Sequence, residues 1–204
     1  MRSNILYLAL IGLIVASCNN KPTADTPVTV IDTVNHTNSV DSSGMTTNSG
    51  QPVDTAKQMS SDSGFLAFAH EAGTFEIEAA KLAKKKSQNA QVKEFADMMI
   101  TDHTAMGKDV ESLATQKNIT LPVGMGYNLK KEWDKLNGLS GKDFDKEYAA
   151  ANVKGHAEVI SKFEMVSKNT DNADSQEVQQ LASTALPKLK THKEHADMLK
   201  DSLK

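Results

Sequence analysis

A bundle of four long α-helices behind an unstructured N-terminal tether is the fold that this 204-residue sequence predicts. Two observations carry the expectation. After Asp62 four long stretches repeat hydrophobic residues at spacings of three and four, each closed by polar, glycine or proline punctuation. Before Asp62 no hydrophobic period is sustained. With 39% hydrophobic and 24% charged residues, the chain has material for one domain of ordinary size, and its spare length lies at the N-terminus. A net charge of -3 supplies no broad basic surface, which excludes nucleic acid as a partner.

Residues 1–18, "MRSNILYLALIGLIVASC", pair one positive charge at Arg2 with an apolar run from Ile5 to Ala16 and small residues at its end. This is the pattern of a secretory signal, too short to span a membrane. Cys18 is the only cysteine, so no intramolecular disulfide can form. The stretch "VASC" resembles a bacterial lipobox, which implies that Cys18 is acylated and becomes the new N-terminus. Acyl chains, at about 0.8 kcal/mol per buried CH₂, would anchor the protein to a membrane without crossing it. Residues 19–61, rich in Thr, Ser, Asn and Asp, cannot bury enough surface to order themselves. As a flexible coil they would span on the order of 35 to 40 Å. His36 within them reads as solvated.

In the first helical stretch Phe65, Phe68, Ala72, Phe75, Ala79 and Leu82 share a face, and "KKKSQN" ends it with a cationic last turn. In the second, Val92, Phe95, Met99, Met106, Val110 and Leu113 repeat the pattern until "NITLP". A connection of about twenty residues follows, with a short amphipathic turn carrying Leu129, Trp133 and Leu136. The third helix is expected from about Lys142 to Lys168, and "NTDNAD" then supplies N-cap residues, Asp171 and Asp174 among them. The fourth carries Val178, Ala182, Ala185, Leu189, Ala196 and Leu199 on a heptad, with Pro187 expected to kink or loosen it. Two hairpins joined by one long connection between helices two and three have ferritin-like connectivity.

Three histidines face inward on this reading. His103 lies about 40° from the centre of a face set by Met99, His156 falls between Asn152, Val159 and Phe163, and His192 occupies a heptad position between Leu189 and Ala196. Counting from the hairpin turns puts His103 opposite Thr74, with Glu71 and Glu78 about a turn to either side, and His156 opposite Pro187 or Lys188. The candidate site is therefore His103, His156 and His192, with a carboxylate from Glu71 or Asp102. Imidazole with carboxylate suits iron, zinc, manganese or copper. A conventional carboxylate-bridged di-iron centre is disfavoured, because it needs Glu-x-x-His pairs and the positions three before these histidines hold Ile100, Val153 and Leu189. The plainer alternative is that each imidazole bonds a neighbouring carboxylate or carbonyl and holds the bundle in register.

Other signals are weaker. His192 and His195 in "HKEH" could share a surface ion, Met98, Met99 and Met106 beside His103 resemble a soft copper stripe, and Glu76, Glu78 and the lysine clusters read as solvated faces. No nucleophile elbow, phosphate loop or Cys-x-x-Cys pair is present.

The stretches "FLAFAHEAGTFEIEAAKLA", "VKEFADMMITDHT", "FDKEYAAANVKGHAEVISKFE" and "LASTALPKLKTHKEHADML" resemble the domain of unknown function 4142 family, a ferritin-like group of exported bacterial proteins often labelled putative outer membrane proteins. The resemblance implies the bundle and a place in the cell envelope, at the outer membrane or in the periplasm, and it brings no activity with it. Two functions stay open from the sequence. One is a non-enzymatic, lipid-anchored envelope module that binds a protein partner or serves in stress tolerance. The other is a metal-binding or redox protein using the histidine cluster.

Overall fold

The computed structural model describes residues 61–169 and 175–204. Cys18, the tether up to residue 60 and the turn residues Asp171 and Asp174 lie outside them. The described chain is all-α: α1 (Asp62–Lys86), α2 (Ala90–Gln116), α3 (Tyr127–Gly138), α4 (Gly141–Ser167) and α5 (Gln176–Ser202). Among the described residues no helix is long and apolar enough to cross a membrane.

The helix starts follow local chemistry. Ser61 caps α1 by accepting from the Gly64 amide at 3.1 Å, and Asn89 caps α2 by accepting from the amides of Gln91 at 2.8 Å and Val92 at 3.4 Å. Between them the turn at residues 87–89 is tightened by the Asn89 amide donating to Ser87 Oγ at 3.0 Å. That short turn makes α1 and α2 an antiparallel pair.

Two apolar clusters fill the bundle, one towards each end. At the end bearing the α1–α2 turn, Phe75, Leu82, Phe95, Met99, Phe144, Tyr148 and Leu199 pack together, with the Phe144 and Tyr148 rings stacked at 5.9 Å. At the other end Phe65, Ala72, Val110, Leu113, Val159, Phe163, Val178 and Leu189 do so, with Phe65 and Phe163 edge to face at 4.8 Å. The membership of these clusters sets the helix directions. Phe95 and Phe144 begin their helices at the same end, and Leu113 and Val166 finish theirs at the other. Helices α2 and α4 therefore run the same way, and the connection between them has to travel the length of the bundle.

That connection is more ordered than its sequence suggests. The expected amphipathic turn is a helix of 12 residues, α3, which buries Leu136 fully and lays Leu129 and Trp133 against the first cluster. Lys86, the last residue of α1, donates to the carbonyls of Asn137 at 2.5 Å and Leu139 at 2.8 Å, tying the two helix ends together. Pro187 does not interrupt α5, which continues from Gln176 to Ser202.

Candidate metal centre

Between the two clusters lies a polar layer. His156 and His192 are 0% exposed, His103 3% and Glu76 6%. They arrive from α1, α2, α4 and α5, one residue per helix. The three imidazole rings form a near-equilateral group with centroids 5.0, 5.5 and 5.6 Å apart.

Each ring is held by one nitrogen. His103 Nδ1 lies 2.9 Å from Glu76 Oε2. His156 Nδ1 lies 3.0 Å from the Asn152 carbonyl and 3.3 Å from Glu76 Oε1. His192 Nε2 lies 2.9 Å from Asp102 Oδ2, and Lys188 donates to the other Asp102 oxygen at 2.5 Å. A carbonyl or an ionised carboxylate can only accept, so these ring nitrogens carry the protons. The opposite nitrogens, His103 Nε2, His156 Nε2 and His192 Nδ1, are then lone pairs, and all three are buried without a partner among the described residues.

Burial pushes the His192 imidazolium down to about 4, with Asp102 pulling the other way, so His192 is neutral at pH 7. For Glu76 burial opposes the charge, yet the attraction that His103 and His156 exert once protonated at acid pH, with the hydrogen bond from His103, outweighs it and brings the carboxyl down to about 2. Asp102 follows the same logic. Partial burial opposes its charge, while hydrogen bonds from Lys188 and His192 hold it below the usual carboxylate range.

One ring nitrogen from each of His103, His156 and His192 lies within 4.8 Å of the others. Tetrahedral coordination at about 2.0–2.1 Å needs nitrogens about 3.3 Å apart. A shift of roughly 1 Å per ring would close the difference.

The carboxylates need correction. Glu71 does not reach the histidines: its carboxylate lies against Gly126 at the start of α3, 3.0 Å from where a Cβ on that glycine would stand. Five residues of helix turn about 140°, so Glu71 and Glu76 cannot share a face. Glu76, read from the sequence as solvated, is the carboxylate in the layer. Its signal was present, since Ala69, Ala72, Glu76, Ala80 and Ala83 recur at spacings of three and four and are all buried. The count that put His103 opposite Thr74 was two residues short. Asp102 does meet the cluster, but through His192 and at the edge of the layer. Of the remaining candidates, His195 is exposed and its Nδ1 stands 3.3 Å from Met98 Sδ across the α2–α5 interface, while Met99 is core.

An all-helical bundle with a buried layer of three histidines and one carboxylate is the class of protein that fold and site define. The chain belongs to the family described as Domain of unknown function (DUF4142), which matches residues 47–199. No curated protein and no solved structure matches it.

Proposed function

We propose that the bundle binds one divalent first-row transition ion of the zinc or copper class through His103 Nε2, His156 Nε2 and His192 Nδ1. Two observations carry this reading together: one ring nitrogen of each histidine lies within 4.8 Å of the others, and each ring has one buried nitrogen without a partner among the described residues while its other nitrogen is held by Glu76, the Asn152 carbonyl or Asp102. This is the arrangement by which a carboxylate or carbonyl behind each imidazole fixes tautomer and orientation at metal sites. A layer that served only to hold the helices in register would satisfy both nitrogens of each ring, because each buried polar atom left unmade costs about 1–3 kcal/mol. Three neutral imidazoles suit zinc and copper, whereas manganese prefers oxygen donors. Glu76 supplies one negative charge beside a divalent ion, and that of Asp102 is offset by Lys188. Three protein ligands leave a fourth coordination position open, as in catalytic rather than purely structural sites.

The test is metal content by mass spectrometry after dialysis against zinc, on the wild type and a His103→Ala, His156→Ala, His192→Ala variant. One equivalent in the wild type and none in the variant is expected. Equal content in two proteins with the same helical circular dichroism would remove the proposal. The lipobox reading of Cys18 supports a lipid-anchored position in the cell envelope. It predicts that Cys18→Ala moves the protein from the membrane to the soluble fraction, and unchanged fractionation would refute it.

A further inference from the structure

A cleft of about 470 Å³ opens beside the polar layer, walled by α1, α2, α4 and α5. Ala72, Met106, Val159, Phe163, Ala185 and Leu189 supply much of its wall, and His103 and Glu76 line it as well. Its volume falls in the range of small-molecule sites. Two glycines, Gly73 on α1 and Gly107 on α2, also line it, and a Cβ on either would meet nothing within 4 Å. Glycine inside a helix lowers stability relative to alanine. Here it leaves the cleft unfilled from two facing helices.

We infer that this cleft binds a small uncharged molecule of aromatic size and delivers it to the fourth coordination position of the ion, past His103. The contact with the ion rests on the metal reading above, while the cleft itself does not. The ligand class follows from charge. Glu76 and His103, the ionisable groups the cleft shares with the polar layer, are paired with each other at 2.9 Å, and Lys188 is paired with Asp102. The other ionisable residues of the lining, half-buried His70 and exposed Lys108, Asp109 and Glu111, carry charges of both signs at the water-facing rim, so none is a buried anchor for a charged ligand. What remains to hold a guest is apolar wall.

Two measurements on the full chain separate the parts. In metal-free protein, toluene is expected to shift the NMR signals of the Met106, Val159 and Leu189 methyl groups. Gly107→Leu and Gly73→Leu, each of which sends a side chain into the cleft, are expected to abolish the shift. If toluene leaves those signals unmoved, or both filled variants respond like the wild type, the cleft is not a binding site. In cobalt-loaded protein, 4-phenylimidazole is expected to perturb the visible bands at about tenfold lower concentration than imidazole, and Gly107→Leu to erase that preference. Equal concentrations in the wild type would overturn the link between cleft and ion. If the wild type shows no cobalt bands, the metal reading falls, the contact with the ion falls with it, and the toluene result alone decides the cleft.

Discussion

The two ends of the bundle are built from the same kinds of residue and differ in closure. At the end bearing the α1–α2 turn, α3 packs against the core, Leu136 is fully buried, and Tyr148 stacks on Phe144 and meets Phe95 edge to face. At the other end the cluster from Phe65 to Leu189 is left with a cleft, and two glycines stand where side chains would have filled it. The histidine layer lies between the closed end and the open one. A filled end on one side of the layer and a cleft on the other is the arrangement expected if the layer serves as a site, as proposed above.

The largest break in this comparison should come from opening the closed end. Phe144 is fully buried, so Phe144→Ala is expected to cost about 3–5 kcal/mol in a denaturant titration. A loss under about 1 kcal/mol would mean that the end is not well packed.

Next is acid, which acts on the layer between the ends. His192 is depressed from 6.5 to about 4, so between those values the unfolded chain binds more protons than the folded one, and stability falls as pH falls. Glu76, lowered from 4.5 to about 2, extends the loss below pH 4.5 with the same sign. For metal-free protein the His192 contribution amounts to something on the order of 3 kcal/mol, which urea titrations at pH 7 and pH 4 would measure. A flat profile between those pH values would contradict the buried neutral imidazole.

Glu76→Gln keeps the shape of the layer and removes its charge. Metal affinity is expected to fall by about 10- to 100-fold, read by competition with a chelating dye. An unchanged affinity would show that Glu76 orients nothing. The smallest effect should come from the open end. Gly107→Ala is expected to raise stability by up to about 1 kcal/mol, seen as a higher melting temperature. A decrease would show that the space beside Gly107 is not free.

Much of this was legible in the chain. Helical spacing located four long helices, because burying one face of a helix imposes a period of 3.6 on the sequence. The same spacing turned His103, His156 and His192 inward. It says which way a residue points and little about its level along the bundle, which is why Glu71 was read as a partner when five residues of rotation carry it to another face. The extent of α3 was hidden for a related reason: its single fully buried contact, Leu136, is made with helices far away in sequence.

Periodicity, caps and turn residues determined the helices and their inward faces, since those depend on neighbours a few positions apart. Only the tertiary structure decided that three histidines and Glu76 occupy one layer, that Asp102 joins from its edge, and that a cleft opens beside it. Those outcomes depend on how far each hairpin slides against the other, which is set by packing summed over two clusters and by a connection that crosses the whole bundle.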